Sequence, residues 1–203
     1  MIDLTFDMRL IEREMARLRR VPDALQRALF PTVSMVIEDS RGHLQTRLAA
    51  TAALPDKTIK KAIKAHPARV SGQGAEGRIV VSSKGIPIIE YDVQPKEVTA
   101  RKGSRSKSWP GFTFALRSGE RREREGLPSD SLPFIAAMSN KGKGGHLGVY
   151  HRSSAGKIKE LIGPSVQYHA TTPEMEADLI SHADSLFSRI LPRVVDSVLA
   201  GGQ

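Results

Sequence analysis

From Leu4 onward, apolar residues recur at alternating spacings of four and three: Leu4, Met8, Ile11, Met15 and Leu18. That period places them on one stripe of a helix, with Arg9, Glu12, Arg13 and Arg17 outside it. Pro22 interrupts the pattern and suits the first turn of a second helix. From Asp23 the positions Leu25, Leu29, Val33, Val36, Leu44 and Leu48 continue a helical period. Pro31 lacks the donor its turn expects, so it should kink this helix or divide it. A stripe of this kind serves either as a core face or as an oligomer seam. After Pro55, Asp56 is placed to cap a short basic helix over residues 57–65. His66-Pro67 ends it, because the residue before proline is pushed out of the helical region.

From Arg78 the period changes to two. Residues 78–82 read as a strand, 83–85 as a turn and 86–91 as the partner strand. Pro87 costs a ladder bond in a central strand and is therefore placed at an edge or at the strand start. Residues 96–100 extend the sheet, and the polar, basic stretch 101–108 is a loop. Residues 111–117 alternate as a strand. The charge-dense stretch 118–131 reads as an exposed excursion. Residues 134–138 and 147–152 make a final strand pair around a glycine-rich tip at 141–145, where glycine permits positive φ. Helical spacing returns over 173–200 through Met175, Leu179, Leu186, Ile190, Val194 and Val198, with a kink expected at Pro192. The class is α+β: a central, mostly antiparallel sheet flanked by long N-terminal helices and a C-terminal helix. The chain reads as a single domain over 1–203. Its helical part covers 1–70, its sheet part 78–168 with the charged loop 118–131, and its last helix 172–200.

Composition narrows the chemistry. The 203 residues include no cysteine, which excludes disulfides, thiolate metal sites and a cysteine nucleophile. Aromatic residues are only 5% of the chain, so its core must be built from Leu, Ile, Val and Ala. Charges at Asp3, Asp7, Arg9 and Glu12 break any secretory pattern, and no apolar run nears the roughly 20 residues of a membrane span. A soluble, cytoplasmically made protein is expected, with no membrane partner. The net charge of +9 reflects either a solvated basic surface or proximity to nucleic acid. Cations gather at Lys57, Lys60, Lys61, Lys64 and Arg69, at Arg101, Lys102, Arg105 and Lys107, and at Lys141, Lys143, Arg152, Lys157 and Lys159. Aromatic residues are barely interleaved, which argues against a base-stacking platform.

Motifs for catalysis are missing from the sequence. The six histidines form no H-x-x-x-H or H-E-x-x-H pair, and His146 and His151 fall on opposite faces of a strand. Glu90 and Asp92 share a strand face, but no acidic residue is followed by lysine two positions on, as a metal-dependent nuclease would want. The serine-rich loops lack G-x-S-x-G, and Gly142-Lys143-Gly144-Gly145 lacks the Walker order. The reading is no enzyme, with no catalytic, cofactor or metal residues.

Several segments carry a resemblance: S-S-K-G-I-P-I-I-E-Y at 82–91, K-G-S-R-S-K at 102–107, and F-I-A-A-M at 134–138. Then come G-x-x-G-V-Y-x-R at 145–152 and I-K-E-L-x-G-P-S-V at 158–166. In order and spacing this is similar to the bacteriophage tail-completion, or prophage minor tail protein Z, family. The insertion at 118–131 and the absence of an arginine-proline pair before I-K-E-L depart from its pattern. The resemblance implies a structural virion protein of the phage neck, forming a homo-oligomeric ring of six at the head–tail junction. Its partners would be the tail terminator, the tail tube, the head connector and genomic DNA in the lumen. The DNA-facing candidates are Lys57, Lys60, Lys61 and Lys64, or the tip at Lys141 and Lys143, acting on phosphate without sequence preference. The candidate subunit-interface elements are Phe134, Ile135, Val149 and Tyr150, since open strand edges can pair between copies. The competing expectation is a free nucleic-acid-binding module or nuclease of a prophage.

Overall fold

The computed structural model describes residues 8–18, 23–71, 74–94, 113–123, 133–140, 143–152 and 156–201. The expectations placed on Leu4, Pro22, 96–100, 101–108, 124–131 and Lys141 lie outside them. The class is α+β, with helices at both ends of the chain and strands in four small antiparallel sheets. The chain divides into two compact units. Unit 1 holds Met1–Leu48, Lys60–Ser82 and Gln167–Gln203; unit 2 holds Ala49–Ile59 and Ser83–Val166.

In unit 1, helix α1 (Met8–Leu18) precedes helix α2 (Ala24–Thr51). Pro31 does not divide α2. Ala28, Leu29, Thr32, Val33, Val36 and Ile37 are buried on both sides of it, and packing of that stripe outweighs one missing ladder bond. The Thr32 hydroxyl also donates to the Ala28 carbonyl at 2.7 Å. α1 buries Leu18 as expected but also Glu14, whose carboxylate accepts from Arg13 Nε at 3.1 Å and Arg17 Nη1 at 2.7 Å. The other end of the Arg17 guanidinium donates to Asp196 on the last helix at 2.6 Å.

The basic helix α3 (Asp56–Ala62) is shorter than expected, and Asp56 is its first residue. The Pro55 carbonyl accepts from the amides of Thr58 and Ile59. At Ile63 the chain turns into strand β1 (Ile63–Ser71), which pairs with β2 (Gly74–Val81). The four-residue spacing of Ile59 and Ile63 imitates a helix, but Ile63, Ala65, Ile79 and Val81 line one face of a hairpin. Pro67 falls where the register shifts between His66 and Arg69, the place a strand tolerates proline. The inner face rests on α2 at Gly77, where a β-carbon would lie 2.5 Å from Ile37 Cγ1. After the short helix α4 (Val166–Ala170), helix α5 (Pro173–Ala200) begins on a Thr172 cap and continues through Pro192. Its buried stripe is Met175, Leu179, Ala183, Leu186, Phe187, Leu191 and Val195.

Unit 2 carries the remaining strands. Residues 86–91 are not the partner of 78–82. Instead β3 (Gly85–Pro87) runs into a 3₁₀ turn (Ile88–Glu90) and β4 (Asp92–Gln94). β5 (Thr113–Arg117) pairs with β4 and with β6 (Glu120–Glu123). β6 replaces the start of the expected loop 118–131. The turn is Ser118-Gly119, with Gly119 at φ +84°, so the S-G dipeptide signals a hairpin that its charged second strand conceals. β7 (Phe134–Asn140), β8 (Lys143–Arg152) and β9 (Ile158–Glu160) form one sheet, and β10 (Ile162–Ser165) pairs with β3. Gly163-Pro164-Ser165 is thus strand. The core of the unit is Ile88, Val93, Phe114, Ile135, Val149 and Leu161.

Candidate nucleic-acid interface and strand edges

Lys57, Lys60 and Lys61 are exposed on α3, while Ile59 between them is buried and anchors the helix. Lys64 leaves that helix and stands exposed on β1 opposite Val80. None of the ion pairs seen among the described residues uses any of these four lysines. The second candidate, the tip, is represented only by the start of β8 at Lys143, in register with Asn140; Lys141 lies outside the described residues.

The four interface candidates are mostly interior. Ile135 and Val149 face each other across β7 and β8 and are 0% exposed within the core of unit 2. Tyr150 is 7% exposed, and its ring tilts against Phe134 with centroids 6.1 Å apart. Ile135 and Val149 are committed within the unit, because their face of β7–β8 supplies the apolar cluster, while Phe134 and Tyr150 pair on the other face. Exposure lies elsewhere: Ile158 on β9 is 41% exposed and Ile162 on β10 is 55% exposed. Both strands end their sheets among the described residues.

Of the segments behind the family resemblance, 102–107 lies outside the described residues, and strands of the other four meet one another in unit 2. Gly85-Ile86-Pro87 pairs with Ile162–Ser165, and the buried Tyr91 donates its hydroxyl to the Pro164 carbonyl at 2.8 Å. Burial raises the Tyr91 phenol far above its usual value, so it stays a donor. Gly163 leaves room for Tyr91 and Ile88; a β-carbon there would lie 3.0 Å and 2.9 Å from them. Gly148 does the same for Glu160 and Tyr150, its β-carbon position being 2.7 Å from Glu160 Oε1. That carboxylate accepts from His146 Nε2 at 2.7 Å. Burial, with the Glu160 charge beside it, pushes the Tyr150 phenol up. Glu90 is in the 3₁₀ turn rather than on a strand face with Asp92, and its carboxylate accepts from the Thr58 hydroxyl at 2.9 Å.

One constellation escaped the sequence reading. His43 and His182 stack in parallel, centroids 3.9 Å apart, where α2 and α5 run antiparallel in unit 1. A carboxylate only accepts, so His43 Nε2 donates to Asp178 Oδ2 and His182 Nε2 to Asp39 Oδ1, both at 2.8 Å. Arg47 Nε adds a third bond, to Asp178 at 3.0 Å. The signal was a twin D-x-x-x-H, at 39/43 and 178/182, which brings each pair to one helix face. The hydrogen bond from His43, helped by Arg47, holds the Asp178 carboxyl below the usual range. A folded-state value below the unfolded value of about 3.9 adds stability above that value and loses it as pH falls through the folded value. The stability gap between the wild type and Asp178→Asn should therefore be full above about pH 5 and close below about pH 4. Urea melts across pH measure it; a gap that widens on acidification contradicts the assignment.

Among the described residues, no group of three or more His, Asp or Glu is arranged to hold a metal ion, and no helix is long and apolar enough to cross a membrane. No family model, curated protein or solved structure matches the chain.

Proposed function

We propose that the chain is a structural protein of a tailed-phage particle, a tail-completion or neck protein. In this reading six copies form a ring at the head–tail junction, joined to tail terminator, tail tube and head connector proteins, and DNA passes through the lumen on its way out. The observation that carries the reading is the convergence of the family-like segments. The segments 134–138, 145–152 and 158–166 follow one another in sequence, and the distant segment 82–91 joins them by pairing with β10, so that the four share strand pairs and one core. Their glycines have steric roles there, at Gly85, Gly148 and Gly163. A resemblance built on unrelated short matches has no reason to assemble in this way.

Ile158 and Ile162 supply a surface for copy-to-copy contact. Each is a large apolar side chain on a strand that ends its sheet among the described residues, the feature that lets sheets join between chains. Replacing both with aspartate should shift the sedimenting species from a closed oligomer to a single 22.2 kDa chain. Exposed substitutions of this kind cost only about 0.5 kcal/mol each, so thermal melting should move by a few degrees at most. An oligomer of unchanged mass would remove β9 and β10 from the contact.

A further inference from the structure

The outer face of the β1–β2 hairpin has an unusual charge balance. Strand alternation points Glu76, Arg78 and Val80 outward on β2, while Ala75, Gly77, Ile79 and Val81 face inward. Register then sets Lys64 opposite Val80, His66 opposite Arg78 and Arg69 opposite Glu76. All six are exposed. Lys60 and Lys61, also exposed, end the helix that leads into β1. Three cations and His66 thus share the face with a single carboxylate, Lys60 and Lys61 end the helix that leads into it, and none of the five cations enters an ion pair seen among the described residues. Opposite rows stand about 5 Å apart and successive outward residues about 7 Å apart. Like charges held on so small a face repel one another, a cost that a polyanion relieves.

We propose that this face, Lys64, Arg69 and Arg78 with His66 among them, docks the phosphate backbone of duplex nucleic acid, together with Lys60 and Lys61 at the end of α3. The five cations meet phosphates as point charges or forks. No aromatic side chain lies on the described face, so bases are neither stacked nor read. The inference deepens the proposed function and rests on it for the identity of the polyanion. The two fail separately, because particle mass reports the ring while salt-dependent binding reports the face.

The test is fluorescence anisotropy with a labelled mixed-sequence DNA duplex over a salt series. The full chain is compared with a Lys64→Gln, Arg69→Gln, Arg78→Gln variant. A control variant, Arg27→Gln, Arg189→Gln, Arg193→Gln, removes the same charge from exposed helix positions of the same unit. The hairpin variant should bind about tenfold more weakly or worse near 0.1 M salt, with a log–log salt slope shallower by about 0.9 for each phosphate it no longer neutralises. The control should stay within about twofold of the wild type, the small effect of charges that touch no phosphate. Since every replaced side chain is exposed, circular dichroism should be unchanged. The proposal is overturned if the wild type does not bind the duplex, if both variants weaken equally, or if the hairpin variant binds like the wild type. It is also overturned if poly-glutamate competes as well as DNA at equal charge, which would make the partner an acidic protein.

Discussion

Phe187→Ala should destabilise unit 1 by about 3–5 kcal/mol, the largest single effect expected of any substitution in its helices. Phe187 is 1% exposed at the middle of the α5 stripe, with Ala183, Leu186 and Leu191 buried around it. Truncation removes the transfer energy of an aromatic ring and leaves a void that helices of this length close only in part. Domains are stable by only about 5–15 kcal/mol, so the loss is a large share of the total. Urea unfolding followed by circular dichroism should show an earlier midpoint. Phe187→Leu, which keeps most of the volume, should cost less than about 1.5 kcal/mol. A loss below about 1 kcal/mol for the alanine variant would mean that α5 does not bury this residue in a shared core.

Ile135→Ala is the second, and it separates two roles for the same residue. As a core side chain, fully buried between Val149 and the apolar cluster of unit 2, it should cost about 2–5 kcal/mol on truncation. That loss should not vary with protein concentration. A residue at a subunit contact would behave differently: its truncation would lower the oligomer mass and make the apparent midpoint rise with concentration. The geometry predicts the first pattern for Ile135, and the second for the pair Ile158 and Ile162.

Long, strongly periodic elements were legible from the sequence, and so was the pairing of β7 with β8, although Lys143 to Gly145 of the expected tip belong to β8. The apolar positions of α2 and α5 repeat over many turns, and both helices continue through Pro31 and Pro192. What was not legible depended on a partner distant in the chain. Tyr91 and Pro164 are 73 positions apart, and nothing local in I-P-I-I-E-Y says that it will pair with I-G-P-S instead of its neighbour. Ile59 and Ile63 have helical spacing, so the change from α3 to β1 at Ile63 was decided by Ile79 and Val81 across the hairpin. β6 consists of charged residues and pairs through its backbone, which hydrophobic periodicity cannot detect.

The candidate site was legible in kind and only partly in place. Lys60, Lys61 and Lys64 are exposed as expected, but the strand character of Lys64 brings in Arg69 and Arg78, which a helical reading leaves apart. Phe134, Ile135, Val149 and Tyr150 were correctly paired across two strands, yet alternation alone does not say which face of a sheet a core will cover. The reciprocal His–Asp contacts between α2 and α5 were written as two D-x-x-x-H repeats, and became meaningful only once the helices were antiparallel neighbours.

The measurement that bears most directly on the proposed function is the solution mass of the wild-type chain. It should be taken by light scattering over a range of concentrations, at low and high salt, with and without duplex DNA. A neck protein of the kind proposed should give one closed oligomer, a fixed multiple of 22.2 kDa that stops growing as concentration rises. A chain that stays monomeric throughout, yet binds DNA at submicromolar affinity with a steep salt slope, would contradict the ring and describe a free nucleic-acid-binding module.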